Sequence, residues 1–172
     1  HQLALGIHQQ RGNRLGEGNV YANLGSIYSS QGDFDNALKY QEMAMDIYKL
    51  LGNKPGERAT LANIHASLGN IYLNQGHYAK ALDFLNKALH IYKIVGNRTG
   101  EANLYAQLGA AHNSQGSYSK ALQYLNQALR IHQSLRNRIG MELDYIGIGN
   151  IYIRQGQYEK AMQFHKKANP FA

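Results

Sequence analysis

Gln115-Gly116-Ser117-Tyr118 has three relatives in the same chain: Gln31-Gly32-Asp33-Phe34, Gln75-Gly76-His77-Tyr78 and Gln155-Gly156-Gln157-Tyr158. The intervals between them are 44, 40 and 40 residues. A motif recurring at a nearly fixed spacing in this range defines a solenoid, in which each unit buries its apolar face only against its neighbours. Function is then expected on the long surface of the stack and not in a central active site.

The third copy shows what the unit is. Before Gly116, apolar residues fall at Leu104, Leu108 and Ala111, with Tyr105 and His112 beside them. After it they fall at Tyr118, Ala121, Leu122, Leu125, Ala128, Leu129 and Ile131. Both segments follow the 3, 4, 3 spacing of an amphipathic helix. Gly116 sits where a helix end needs a left-handed residue, and Ser117 is placed to cap the second helix through its hydroxyl. The connection is too short for anything but antiparallel neighbours. The fold class is therefore all-α, a solenoid of antiparallel helix pairs.

A second glycine series, Gly25, Gly69, Gly109 and Gly149, falls inside the first helix of each copy. Mid-helix glycine costs about 1 kcal/mol relative to alanine, so its recurrence points to close helix approach. Ala37, Ala81, Ala121 and Ala161, followed by Ala44, Ala88, Ala128 and Ala168, are the small partners on the second helix. The series Tyr40, Phe84, Tyr124 and Phe164 is also locked to the period and reads as packing.

These residues resemble the tetratricopeptide repeat family, whose superhelix is built from such pairs. Its pattern of Leu-Gly, Tyr, Gly, aromatic, Ala and Ala is met by Leu68-Gly69, Tyr72, Gly76, Tyr78, Ala81 and Ala88. The period of 40 exceeds the family's usual 34, so the chain is similar to the extended branch that includes spindle-orientation scaffolds, kinesin light chains and bacterial signalling proteins. In that branch Gly-Asn-Arg-x-Gly-Glu joins consecutive units, as Gly12-Asn13-Arg14-Leu15-Gly16-Glu17 and Gly96-Asn97-Arg98-Thr99-Gly100-Glu101 do here. The resemblance implies a non-catalytic module that binds protein or peptide on a concave surface lined by first helices.

The register gives a single array over 1–172. Residues 1–11 read as the second helix of a truncated preceding unit, 12–51 as repeat 1, 52–95 as repeat 2, 96–135 as repeat 3 and 136–172 as a truncated repeat 4. The excess in repeat 2 lies between Gly52 and Leu68, which are sixteen residues apart where Gly12 and Leu24 are twelve apart. Four residues are about one helical turn, so the first helix of repeat 2 is expected to be one turn longer. Pro170 biases Asn169 away from helix and should stop the last helix early.

Along the polar side of the first helices, at i, i+4, i+7 and i+11, the copies read Asn19, Asn23, Ser26, Ser30; then Asn63, Ser67, Asn70, Asn74; then Asn103, Gln107, Ala110, Ser114. Copy four departs with Leu143, Gly147, Asn150 and Arg154. Solvated faces favour Lys and Glu, as the second helix shows with Lys39, Glu42, Asp46 and Lys49. An asparagine amide instead offers a donor and an acceptor to an extended peptide. The expected groove residues are Asn19, Asn23, Asn63, Ser67, Asn70, Asn74, Asn103, Gln107, Asn150 and Arg154, with Tyr21, Tyr105 and Tyr145 shaping the floor. The family resemblance adds that Asn70 and Asn150 match a position that grips a ligand's main chain.

The remaining features bound the function classes. No cofactor is called for: no phosphate loop, catalytic triad or metal-ligand spacing emerges, and His65 and His112 occupy packing positions that copy one fills with Tyr21 and Tyr28. The chain has no cysteine and no long apolar run, so no membrane span is expected, and a cytoplasmic location fits. The formal charge of +7 lies entirely in residues 87–172, which hold eleven basic and four acidic side chains. The basic residues do not alternate with stacking aromatics as single-strand binders require, so protein is the expected partner and nucleic acid is not. The alternative is a structural spacer or sensor arm of a larger signalling protein that self-associates through uncapped repeat ends.

Overall fold

The computed structural model describes residues 13–51 and 55–169, in two compact units, His1–Val95 and Gly96–Ala172. The expected half-helix over 1–11, and the positions Gly12, Gly52 and Pro170, lie outside the described residues. The first unit contains α1 (Arg14–Ser30), α2 (Phe34–Leu51), α3 (Pro55–Asn74) and α4 (Tyr78–Val95). The second contains α5 (Arg98–Ser114), α6 (Tyr118–Ser134), α7 (Arg138–Arg154) and α8 (Tyr158–Ala168). There is no strand among the described residues. Within the units, α1 pairs with α2, α3 with α4, α5 with α6 and α7 with α8; α3 also meets α1 and α2, and α7 also meets α5 and α6.

The Gln-Gly-x turn works through its backbone. Gly32, Gly76, Gly116 and Gly156 take φ of 77°, 76°, 74° and 73°. The following N–H then reaches back to the carbonyl five residues earlier, as in Asp33 N to Tyr28 O at 3.0 Å and Ser117 N to His112 O at 2.9 Å. The glycine N–H bonds the carbonyl three residues before it, which completes a Schellman termination. Ser117 does not act as expected: it stands at the N-cap of α6, but its hydroxyl makes no capping bond.

Capping falls instead to the inter-unit motif. Asn13, Asn97 and Asn137 precede α1, α5 and α7, and each Oδ1 accepts from the glycine N–H three residues on, at 2.9, 2.9 and 3.0 Å. Within the same motif Arg14 pairs with Glu17 at 3.4 Å, and Arg98 pairs with Glu101. The turn before Asn97 uses Gly96 at φ 70°, whereas the turn before Asn137 places Arg136 at φ 53°. A side chain in that region costs about 1–2 kcal/mol, partly offset in a glycine by its freedom in the unfolded chain. Arg136→Gly is therefore expected to raise stability by up to about 1 kcal/mol in urea unfolding.

Aromatic packing repeats with the period. Tyr40 lies between Tyr21 and Tyr28 with centroids 6.0 and 5.4 Å away, and Phe84 between His65 and Tyr72 at 5.7 and 5.6 Å. Tyr124 lies between Tyr105 and His112 at 6.1 and 5.3 Å, and Phe164 between Tyr145 and Tyr152 at 6.3 and 5.5 Å. Rings seven residues apart on the first helix thus clamp one ring of the second. Tyr21, Tyr105 and Tyr145 are consequently packing rings.

The mid-helix glycines are contact points. A Cβ on Gly69 would stand 2.7 Å from Leu85, and one on Gly109 would stand 2.8 Å from Leu125. Helix α3 has 20 residues where α1, α5 and α7 have 17. Helix α8 ends after 11 residues, with Asn169 extended at φ −129° and ψ 84° ahead of Pro170.

Candidate functional site

Four of the expected groove residues converge in the first unit. Asn19 and Asn23 from α1, and Asn63 and Ser67 from α3, line a cavity of about 230 Å³. Ala22, Ser26, Thr60 and Ile64 complete its walls, and Gln41 of α2 lies at its base. No lining side chain carries a charge. Two other hollows have a different origin. One of about 410 Å³ is lined by Gly156, Gln157, Tyr158, Glu159 and Lys160, a single turn and helix start. The other, about 240 Å³, lies against His112, Lys120, Gln123, Tyr124 and Gln127 of one hairpin. Neither gathers the repeat amides.

The rim asparagines are oriented from behind. Tyr48 of α2 donates its hydroxyl to Asn19 Oδ1 at 2.5 Å, and Tyr92 of α4 donates to Asn63 Oδ1. The two pairs occupy the same positions of successive copies. Burial pushes the Tyr48 hydroxyl above its ordinary range; a hydrogen bond with Thr60 pulls the other way, and Glu57 adds to the rise. Burial also raises Tyr92. Both phenols therefore keep their protons near neutral pH and act as donors. With Oδ1 engaged, each asparagine presents its Nδ2 donors to the groove.

Gln41 links the three helices beneath. Its Nε2 donates to Ser67 Oγ at 3.0 Å and Ala22 O at 3.2 Å, with Ser26 Oγ at 3.4 Å. Ser26 itself donates to Ala22 O at 3.0 Å. Sequence reasoning missed Gln41, Tyr48 and Tyr92 because it read the polar face of the first helices alone. The matching positions of the later copies hold Leu85, Leu125 and His165, so the residue type at Gln41 is not fixed by the period.

The other expected residues are dispersed. Asn70 is half-buried and Asn74 exposed, further along α3 and outside the cavity. In the second unit, Asn103 and Asn150 are exposed, and Gln107 is half-buried with its Oε1 unpartnered. Arg154 lies over the Tyr118 ring at 5.8 Å, across the contact between α6 and α7. Leu143 and Ile146 are exposed on α7, which makes that face partly apolar. The tyrosine clamp also changes. The position of Tyr48 and Tyr92 is held by His132, which bonds Asp144 at 2.6 Å in place of an asparagine.

The tetratricopeptide repeat profile matches residues 1–50, 57–134 and 102–168, and the chain belongs to this family. It is an all-α helical-repeat protein of the kind that serves as a protein–protein interaction scaffold, a family generally without catalysis of its own. Among solved structures it is similar to BtubC (BKLC) from P. vanneervenii, at 21% identity and a TM-score of 0.80, over 91% of this chain and 63% of that one. It is likewise similar to aspartyl phosphate phosphatase F from Bacillus subtilis, at 19% identity and a TM-score of 0.83, over 90% of this chain and 40% of that one. The apo form of RapI shows 15% identity and a TM-score of 0.80, over 93% and 44%. These likenesses concern the fold, and the chain spans less than two thirds of each of those proteins. No curated protein sequence matches it. No helix among the described residues is long and apolar enough to cross a membrane.

Proposed function

We propose that the chain is a non-catalytic adaptor that binds an extended or partly helical segment of another protein along the polar faces of its first helices. The observation that supports this reading best is the uncharged cavity between α1 and α3, with Asn19 and Asn63 held by Tyr48 and Tyr92. Donors fixed before binding suit main-chain carbonyls, which every peptide carries, and cost little ordering on association. Asn23 and Ser67 act in the same cavity. Asn70, Asn74, Asn103, Gln107, Asn150 and Arg154 extend contact beyond it, and the compartment in this reading is the cytoplasm.

The test is selection of peptides from a displayed random library, followed by titration calorimetry. For a selected peptide, Asn19→Ala with Asn63→Ala is expected to weaken binding by about 1–3 kcal/mol, two neutral hydrogen bonds' worth. Affinity unchanged in the double variant, with the helical spectrum intact, would remove the groove assignment.

A second reading rests on α8. Tyr158 and Met162 are 68% and 55% exposed, whereas their counterparts Tyr118 and Leu122 on α6 are half-buried. That face suits self-association through stacked repeats. Light scattering showing a strict monomer at high concentration would count against it.

A further inference from the structure

Helix α7 holds aliphatic side chains on a line that is small or amide-bearing elsewhere. Ile139, Leu143, Ile146 and Ile153 are 71%, 63%, 40% and 44% exposed, with exposed Asn150 between the last two. Their helical spacing keeps all five on one face, over a length of about 21 Å. In α5 the same line reads Thr99, Asn103, Ala106, Ala110 and Asn113. Packing within the array does not explain the change. Both α1 and α5 have a following first helix against them, yet Asn19 and Ser26, and Thr99, Asn103 and Ala110, stay exposed. A further unit stacked on α7 in the same way would leave this line open. A row of aliphatic groups left in water marks an interaction surface.

The line suits a helix better than an extended segment. Its spacing is that of a knobs-into-holes seam, and a helix satisfies its own main-chain groups. An extended segment would set its N–H and C=O groups against aliphatic carbon, with Asn150 alone to meet them. Charge then selects among helices. Residues 96–172 hold nine basic and four acidic side chains. Three of the four acids are already engaged, Glu101 with Arg98, Glu142 with Arg138 and Asp144 with His132. Arg136 and Arg154 stand exposed at either end of the line. A second copy would set arginines against arginines. We infer that α7 is a docking face for an acidic amphipathic helix of a partner protein. The partner's aliphatic residues, spaced three and four apart, lie on Ile139, Leu143, Ile146 and Ile153, and its Asp or Glu side chains meet Arg136 and Arg154. The inference rests on the adaptor reading for its kind of partner and gives the segment bound by the second unit its chemistry. It uses none of the first-unit asparagines.

The probe is a displayed library of peptides about four helical turns long, with Leu or Ile fixed at heptad spacing and the other positions drawn from Asp, Glu, Lys, Arg, Gln and Ser. The wild-type chain should enrich Asp and Glu, and the affinity of a selected peptide, read by fluorescence polarisation, should fall as salt is raised. Leu143→Asn with Ile146→Ala installs the residue types of Asn103 and Ala106 at exposed positions, so folded protein is expected and circular dichroism checks it. That variant should weaken the peptide about a hundredfold, about tenfold for each anchor. Arg136→Gln with Arg154→Gln should weaken it about three- to tenfold and flatten the salt dependence. Asn19→Ala with Asn63→Ala should leave it unchanged. No enriched peptide, no acidic preference, or affinity indifferent to Leu143→Asn with Ile146→Ala overturns the inference. So does a wild-type dimer in light scattering that this variant dissociates, which would make a second copy the occupant. Binding to anionic phosphatidylserine vesicles that the variant abolishes, with no peptide enriched, would make the face a membrane surface and overturn it too. Each of these outcomes leaves the adaptor reading to its own test on Asn19 and Asn63, and failure there with binding at α7 intact removes the groove assignment alone.

Discussion

Asp144→Ala is expected to destabilise the second unit by about 3–5 kcal/mol, the cost of breaking a buried ionisable pair and leaving one member behind. His132 Nδ1 and Asp144 Oδ2 lie 2.6 Å apart, with the two side chains 3% and 1% exposed. Burial pushes the Asp144 carboxyl above its usual range, while the hydrogen bond and charge of His132 pull it back. His132 Nε2 and Asp144 Oδ1 have no partner, so the pair is only half satisfied. The other copies show what the core does without it: Val20, Ile64 and Leu104 stand where Asp144 stands, and Tyr48 and Tyr92 stand where His132 stands. Replacing both members by those types, His132→Tyr with Asp144→Leu, should leave stability unchanged or raise it by about 1–4 kcal/mol. The new hydroxyl would then be placed to meet Asn103, as Tyr48 meets Asn19. Urea unfolding of the three proteins checks the ordering. A harmless single variant would show that His132 does not depend on Asp144, and a double variant less stable than the wild type would show that the apolar packing of the other copies does not replace the pair here.

The repeat fold was legible because each unit states it again. The Gln-Gly-x turn fixes helix ends through backbone geometry that only glycine adopts freely, so Gly32, Gly76, Gly116 and Gly156 announce the architecture without help from tertiary contacts. The mid-helix glycines were legible for the same reason, since a steric demand leaves one solution. Ser117 misled because a capping residue type is not a capping bond: the chain enters α6 straight from the Schellman turn, and the hydroxyl is not needed. The candidate site was half legible. Asn19, Asn23, Asn63 and Ser67 share one face and meet in one cavity, but the groups that tune them, Tyr48, Tyr92 and Gln41, come from second helices. Their relation to the asparagines is one of distance in space, which spacing along a single helix does not carry. The period did contain a signal at Asp144, which stands where the other copies hold an aliphatic residue.

Lowering the pH below the ordinary range of histidine should cost the first unit up to about 3 kcal/mol through His65 alone. Its side chain sits on Phe84, the residue is 7% exposed, and Nδ1 is buried without a partner. Burial is the main reason its pKa falls from 6.5 to about 4; the charges of Lys87 and Lys49 lower it further, and Asp83 opposes them. The folded-state value is depressed. Above pH 6.5 the imidazole is therefore neutral in both states, and its contribution is fully present. Between about 6.5 and about 4 the unfolded chain takes up a proton that the folded chain refuses, and stability declines across that window. The fall from 6.5 to about 4 sets the ceiling at about 3 kcal/mol. Asp144, whose carboxyl is raised, acts in the opposite sense: its contribution is present at low pH and is lost as pH rises through its raised value. The two are separated by variant rather than by pH. His65→Phe keeps an aromatic ring on Phe84, as Tyr21, Tyr105 and Tyr145 do on their own partners, and has no proton to exchange. Unfolding free energies of wild type and His65→Phe should agree in slope above about pH 7 and diverge below it, with the variant losing less. Parallel pH profiles across the acid window would mean that His65 is protonated as readily in the folded chain as in the unfolded one.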